Sequence, residues 1–541
     1  MRFVPLLIAF VISQMTVAQH RSQVWCPDNG DGTYTNPVLY ADYSDPDVCA
    51  VGDDYYLTAS SFNCIPGLPI LHSKDLVNWE MIGYALQEQE PKEIFDKPQH
   101  GKGVWAPAIR YHKNEFYIYW GDPDLGIFMV KAKNPTGEWS KPVCVIAGKG
   151  MIDPCPLWDD DGRCFLVNGW ANSRCGFNSV LSVRELSADG TRAISLPRIV
   201  FDGGQENHTS EGPKFYKRDG YYWIMNPAGG VEMGWQLAMR SKSPYGPYEW
   251  KRVMWQGNTN INGPHQGAWV HTVQGEDWFL HFNDKGPYGR VVYLQPVDWS
   301  SGWPMMGNHG VPYTKYRKPA TSTPEASRVD NPQESDEFTD GLGLQWQWHA
   351  NYHQFFGQPT AEGCYRLYTI EQPKDFKSLW DVPNLLLQKP TAPRFTATAK
   401  VRFASKEDGQ YGGVVMMGRD YSALVICRQG DGFLLQRHTC MGADEEGTEI
   451  QQTLATLQPT ECDTIPYSPA IYLDIYLRMT VWDGQCRYSY SLDGKHYKEA
   501  GDAFTMRQGK WIGAKFGFVA ACHDRKANRG WLDVDWIRIT Q

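Results

Sequence analysis

Beyond its first twenty residues the chain has no run of about 18 apolar residues, which excludes a membrane-spanning helix. It also lacks any C-x-x-C pair, and its 13 cysteines are an odd number, so neither a zinc ribbon nor a fully paired disulfide framework fits. Cys164 and Cys427 stand inside strand-like apolar runs, and buried free thiols are the expectation. Positive charge is scarce: 52 Lys and Arg face 61 Asp and Glu, for a net charge of −9. That withholds the basic footprint required by nucleic acid or an anionic bilayer, while a neutral glycan remains an acceptable partner. Helical periodicity is weak throughout.

What the chain has in quantity is aromatic and turn-forming residues, with 22 Trp, 29 Tyr, 52 Gly and 35 Pro among 541 residues. This composition suits many short strands joined by tight turns, and the length predicts two folded units. Residues 1–18 combine Arg2, an apolar run from Phe3 to Ile12 and small residues ending at Ala18, the pattern of a cleavable secretory signal. The mature protein is therefore expected to be secreted, or periplasmic in a Gram-negative source. No cysteine follows Ala18 directly, which disfavours a lipid-modified terminus.

The most informative feature is repetition. Aromatic strands led by turns recur from Gly52, Lys113, Asp161, Asp219 and Gly275, each preceded by a short strand with a polar or aromatic lead. Those leads are SDPDV at Asp45, VWAPAIR at Trp105, IDPCPLW at Asp153, SEGPKFY at Glu211 and PHQGAWV at His265. An interval of roughly 50 to 60 residues with about four strands per unit predicts a five-bladed β-propeller over 34–318. Equivalent positions of its innermost strands converge at one mouth of the central axis, so the five leads should meet there. A single Asp-Pro or Gly-Pro is ordinarily just a turn; three carboxylates, a Trp and a His at five consecutive leads are a site.

Residues 319–334 are rich in Pro, Ser, Thr and charge and read as a linker. Strict alternation returns in FTATAKVRF from Phe395, YLDIYLRMTVW from Tyr472 and WLDVDWIRI from Trp531. The expected architecture is thus all-β, a five-bladed propeller followed by a β-sandwich over 335–541.

Cleavage of a glycosidic bond needs a carboxylic acid to protonate the departing oxygen and a carboxylate across the sugar. Glu211 is the expected acid. To stay protonated near neutral pH it needs an environmental bias of about 3 kcal/mol, and the charge of Asp153 in the preceding blade is a candidate source. Asp45 is then the base that activates water, and an inverting reaction would place the Asp45 and Glu211 carboxyls about 6.5–9.5 Å apart. Phe62 and Trp105 offer aromatic surface to a sugar ring, and Arg290 offers donors to its hydroxyls. Asp122 repeats the Asp-Pro-Asp wording but follows its aromatic arm, and is expected to form a turn. Asp42 and Asp47 are expected as solvated or capping carboxylates, and Glu232, the rival acid, near the substrate at best.

The segments NPVLYADYSDPDV, DDYYLTASSFNCIPGLPILHSKDLVNW, GVWAPAI, IDPCPLW and SEGPKFY, in that order, resemble glycoside hydrolase family 43, particularly its bacterial β-xylosidases and α-L-arabinofuranosidases. The resemblance spans nearly the whole mature chain. It implies an exo-acting, inverting hydrolase of terminal pentose on plant cell-wall oligosaccharide or polysaccharide, with α-L-arabinofuranose ahead of β-D-xylose. Asp45 is implied as general base, Asp153 as modulator and orienter, and Glu211 as general acid, with Phe62, Trp105 and Arg290 around the terminal sugar. His265 is implied beside either a structural calcium or a water in the central channel, a calcium there being held through its water shell; no cofactor is required for the chemistry. The second domain is implied to be concanavalin-like, and its segment CHDRKANRGW from Cys522 is the expected loop closing the pocket. Two rivals weigh less: a non-catalytic glycan-binding propeller needs no trio of carboxylates, and a fructan-cleaving propeller would show Asn-Asp-Pro-Asn where this chain has Ser-Asp-Pro-Asp.

Overall fold

The computed structural model describes residues 20–321, 328–460, 470–524, 526 and 528–541. The expected signal at 1–18 lies outside the described residues, as does part of the expected linker. Five four-stranded antiparallel sheets, each in simple sequence order, form the first domain. Blade one comprises Asp47–Val51, Asp54–Thr58, Gly67–Ser73 and Glu80–Leu86. Blades two, three, four and five begin at Trp105–His112, Met151–Trp158, Lys214–Arg218 and His265–His271. The aromatic arms read from the sequence are the second strands, for example Asp54–Thr58, Glu115–Asp122 and Tyr221–Ala228.

The aromatic richness has a packing purpose. A twisted four-stranded sheet buries both faces against its neighbours in a ring, so each gap between blades needs its own core. Five such cores exist. Ile70 and Ile109 meet between blades one and two, Tyr119 and Leu166 between two and three, and Phe165 and Phe215 between three and four. Trp223 and Phe279 fill the gap between four and five, while Trp79 and Trp278 fill that between five and one. The ring is closed by the N-terminal segment: Thr33–Thr35 pairs with Lys315–Arg317, and Leu39 exchanges backbone hydrogen bonds with Val292 of blade five at 3.2 and 3.0 Å.

The second domain is a sandwich of two eight-stranded sheets. Its long strands Arg394–Ser405 and Ile471–Trp482 alternate between buried and partly exposed residues, the period-2 pattern read from the sequence. Phe395, Ile475, Phe516 and Ile537 lie in the core between the sheets. The described ends of the expected linker are not loose. The Ala320 N–H donates to Glu276 Oε2 at 2.9 Å, and Asn331 accepts a hydrogen bond from the Ser22 N–H at 3.0 Å. Among the described residues no helix is long and apolar enough to cross a membrane. All twelve described cysteines are unpaired, Cys164 and Cys427 being buried; Cys462 lies outside the described residues.

The two domains are bonded together directly. Ile65 and Trp348 form a backbone bridge, the Tyr84 hydroxyl donates to the Leu344 carbonyl at 2.7 Å, and the Gly484 N–H donates to the Tyr288 hydroxyl at 2.7 Å. Trp79 is wholly buried in the gap that closes the ring and is among the largest side chains there. Trp79→Ala is expected to cost about 3–5 kcal/mol, read as a lower urea midpoint for the propeller transition. An unchanged midpoint would show that this gap does not hold the ring shut.

Candidate active site

The head of every inner strand is built alike. Asp45, Ala106, Asp153, Gly212 and Gln266 all have positive φ, at 54, 33, 56, 55 and 55°, and the first four each precede a proline. Such a residue kinks the strand. In blades two, three and five the pairing slips at the same place, between Trp105 and Ala108, Ile152 and Cys155, and His265 and Gly267. For the non-glycine members the conformation costs of order 1–3 kcal/mol each, strain that the surrounding ring must hold.

This alignment corrects the expectation that the five leads are equivalent. Asp45 and Asp153 occupy the kinked position itself, whereas Trp105, Glu211 and His265 stand one residue earlier. The two phases bring side chains to the mouth of the axis differently. Asp45, Asp153, Glu211, Phe62, Trp105 and Arg290 line one cavity of about 90 Å³, together with Ala106, Ile152, Gln266 and Trp511. His265 is not on its wall.

Asp45 is anchored at both oxygens: Ser60 Oγ donates to Oδ2 at 2.6 Å and Arg290 Nη1 donates to Oδ1 at 2.8 Å. The Ala106 N–H in turn donates to Ser60 Oγ at 2.8 Å, tying blade two to blade one. Asp153, 4 % exposed, accepts the Gly212 N–H at 2.7 Å. Burial pushes its carboxyl above the ordinary range; that hydrogen bond opposes the rise and the charge of Asp45 adds to it. The Glu211 carboxyl is raised as well, first by burial and then by the charge of Asp153, with Arg290 pulling the other way. The two acids compete for one proton. An N–H donor stabilises an ionised carboxylate, and Asp153 has one; among the described residues no donor reaches the Glu211 carboxyl, so the proton rests on Glu211.

Gly212 is required by this geometry. A β-carbon there would come within 2.7 Å of the Gln266 side chain, and the residue must hold φ +55°. The small residue lets Gln266 close over the turn that aims Glu211.

The remaining expectations resolve individually. Asp122 forms the expected turn, its Oδ1 accepting from the N–H groups of Asp124 and Leu125 at 2.9 and 3.1 Å. Glu232 is exposed and off the cavity wall. Asp42 and Asp47 are not solvated, at 4 % and 0 % exposed. Asp42 collects Ser44 Oγ, the Arg290 N–H and, from the sandwich, the Gly513 N–H, at 2.9, 2.9 and 3.0 Å. Asp47 accepts from the Ile109 N–H and from Arg110 at 2.7 and 2.6 Å. Their location inside the interblade packing, invisible in a local reading, explains the difference.

His265 is buried and held near pKa 4, hence neutral, chiefly by that burial. Its Nε2 donates to the Gly230 carbonyl at 2.8 Å, Phe282 presents its edge, and Nδ1 has no protein partner. These neighbours do not make the oxygen-rich cage that calcium prefers, and among the described residues no three His, Cys, Asp or Glu side chains gather as a metal site.

Trp511, which the sequence reading missed, is the sandwich's contribution to the wall. It is half-exposed, 6.2 Å ring to ring from Trp105, and it packs with Lys510 over Gly101. Trp105 also lies 6.4 Å from Phe62, and the Arg174 guanidinium stacks on it at 5.8 Å. The segment from Cys522 was the expected closing loop; its described residues instead line a separate cavity with Glu371 and Gln410, while Arg525 and Ala527 lie outside the described residues. The loop that does reach the site is held there by the bond from Gly513 to Asp42. Nothing local in WIGAKFG marks Trp511, since its role depends on how two domains dock.

Comparison with known proteins agrees with this geometry. The profile of Glycosyl hydrolases family 43 matches residues 34–304, and that of the Beta xylosidase C-terminal Concanavalin A-like domain matches 335–540. The chain is 34% identical over 91% of its length to a putative beta-xylosidase of Xylanibacter ruminicola, covering 86% of that protein. It is 30% identical over 93% of its length to the non-reducing end alpha-L-arabinofuranosidase BoGH43B of Bacteroides ovatus, covering 94% of it. The solved structure of the Bacteroides ovatus xyloglucan-locus GH43B superimposes with a TM-score of 0.79 at 26% identity, over 94% of this chain and 99% of that one. With a ring of five blades, a docked sandwich and carboxylates from three blades on one cavity wall, the chain belongs to glycosyl hydrolase family 43 and is a glycosidase.

Proposed function

We propose that the protein removes a terminal pentose from plant cell-wall glycans with inversion, Glu211 acting as general acid, Asp45 as general base and Asp153 as the group that keeps the proton on Glu211. One observation carries the reading: three carboxyls delivered by separate blades share one small cavity, and their hydrogen-bond partners differ. The cavity is small, about 90 Å³, in keeping with attack at a chain end.

The chemistry follows from the partners. Asp45, held in one orientation by Ser60 and Arg290, takes a proton from a water as that water attacks the anomeric carbon. Glu211 gives its proton to the glycosidic oxygen as the bond breaks, which releases the pentose and a new hydroxyl on the remaining glycan. Asp45 is then protonated and Glu211 ionised, and exchange with solvent restores both. Phe62 and Trp105 pack on the sugar ring, Arg290 has donors left for its hydroxyls, and Trp511 covers the leaving-group side.

The pentose proposed first is α-L-arabinofuranose, on the segments SSFNCIPGLP and HQGAW. β-D-xylose is the second reading, favoured by the relative named putative beta-xylosidase. Nitrophenyl arabinofuranoside and xyloside decide between them, and proton NMR of the first-formed anomer tests inversion. Export is proposed on residues 1–18, and sequencing the mature N-terminus tests it.

Glu211→Gln and Asp45→Asn are each expected to abolish turnover with the fold intact, and Asp153→Asn to lower kcat at least about tenfold. Near-normal rates in Asp45→Asn would remove the base. Trp511→Ala should raise KM on oligosaccharides about three- to tenfold, the loss of one aromatic contact, with a smaller change in kcat. The raised carboxyl of Glu211 also predicts a stability effect. A group whose pKa is higher folded than unfolded stabilises the fold below its unfolded value, and that contribution is lost as pH rises through the folded value. Glu211→Gln should therefore melt above the wild type at pH 8, with the gap narrowing toward pH 4; an equal Tm throughout would contradict the raised carboxyl.

A further inference from the structure

One stretch of the cavity's rim carries more positive charge than its neighbours balance. The chain as a whole stands at −9, yet four cations gather around Trp105, where blades two and three meet the sandwich. Contacts fix each of them there. A β-carbon at Gly101 would come within 2.8 and 2.9 Å of Lys510 and Trp511, and the Gly101 carbonyl accepts the Trp105 indole N–H at 3.0 Å. Lys102 follows Gly101 directly, and its ammonium donates to Gln99 Oε1 at 3.2 Å. Arg174, stacked on Trp105 at 5.8 Å, donates to both oxygens of Asp124 at 2.9 and 3.3 Å. Lys149 is pinned beside that same turn, because the Gly148 N–H donates to the Leu125 carbonyl and the Gly150 N–H to the Pro123 carbonyl, at 3.0 and 2.9 Å.

The charges do not cancel. Asp124 is taken up by Arg174, and Asp122 is 4 % exposed and spent on its own turn. Lys102, Lys149 and Lys510 are exposed, and among the described residues no carboxylate stands at salt-bridge distance from any of them. Across the ring the balance is reversed, with Glu232 and Asp284 against Lys285. The mouth is therefore electrically two-sided, and its positive side is the side on which Trp511 closes the site. Three like charges held beside one aromatic wall repel one another, and an anion lodged among them relieves that repulsion.

We propose that this rim is a subsite for acidic glycans: Lys102, Lys149 and Lys510 receive the carboxylate of a uronic acid carried by the leaving-group portion of the substrate, while Trp105 and Trp511 pack on its rings. The inference rests on the pentose-releasing reading above and adds the class of glycan from which the pentose is cut. A uronic acid is ionised at neutral pH and hangs from a glycan as a compact, singly charged group, which suits flexible ammonium groups at an open edge. The contact lies outside the reacting centre and is made alike before and during bond breaking, so it acts on KM and leaves kcat nearly constant.

The test compares the 4-carboxyphenyl and 4-carbamoylphenyl glycosides of the pentose that the nitrophenyl assays identify, two leaving groups of one shape that differ by one charge. At an ionic strength of about 10 mM the wild type should favour the acid over the amide by about fivefold in kcat/KM, through KM, and the ratio should fall toward one as NaCl is raised to about 0.5 M. The net charge of −9 acts in the opposite direction, so a preference for the acid reports the local rim. Combining Lys102→Gln, Lys149→Gln and Lys510→Gln should bring the low-salt ratio to within about twofold of one, and arginine at the same three positions should restore it. The salt titration of the wild type needs no variant to fold. A low-salt ratio of one or below in the wild type, or a preference that the triple glutamine variant keeps, overturns the acidic subsite. A wild-type chain that hydrolyses neither glycoside would instead overturn the reading beneath it.

Discussion

A left-handed residue at the head of each inner strand is the constraint on which the site depends. A regular strand would send successive side chains alternately into the two interblade gaps, and none toward the mouth of the axis. The kink at Asp45, Ala106, Asp153, Gly212 and Gln266 breaks that alternation at one level of the ring. The strain is tolerable because the five interblade cores hold the strands below it. It also explains why the ring has two phases of functional side chain, one from the kinked residue and one from the residue before it. Where Glu211 uses the earlier phase, the kinked position has been emptied to glycine and its N–H given to Asp153.

Once the carboxyls are gathered, electrostatics differentiates them. Asp153 and Glu211 are buried on one cavity wall, where burial and neighbouring negative charge raise their affinity for protons. What separates the three is the supply of donors: two to Asp45, one to Asp153, and none among the described residues to Glu211. Asp42 belongs to the same arrangement from behind, since it holds the Arg290 backbone and the sandwich loop on one carboxylate. The loop bearing Trp511 and the arginine gripping Asp45 are thereby mechanically linked, because they share an anchor.

Much of this was legible in the residues. Repeated aromatic arms reveal blades because each gap needs its own aromatic filling, and period-2 alternation reveals the sandwich because its sheets have one buried face. Asp45, Asp153 and Glu211 stood out because each leads a unit, and Phe62, Trp105 and Arg290 joined them on the cavity wall. What local reading could not supply was information carried by docking. Trp511 and Gln266 reach the site through contacts between a loop and a blade remote in sequence. Asp42 and Asp47, expected as solvated or capping carboxylates, do collect backbone N–H groups but are buried by the neighbouring blades and the sandwich. The Cys522 segment misled for the same reason, being plausible in composition and placed elsewhere by the sandwich topology.

The way the ring is shut bears on how the chain is made. Thr33–Thr35 must wait for Lys315–Arg317, and Leu39 for Val292, so early blades emerge from the ribosome with no last neighbour to cover them. Contacts this distant along the chain form slowly, and an uncovered sheet face or edge invites association with other chains. With its described thiols unpaired, the polypeptide has no covalent staple to bridge that interval. Folding of this enzyme therefore favours closure of the ring as one late, concerted event in place of blade-by-blade maturation.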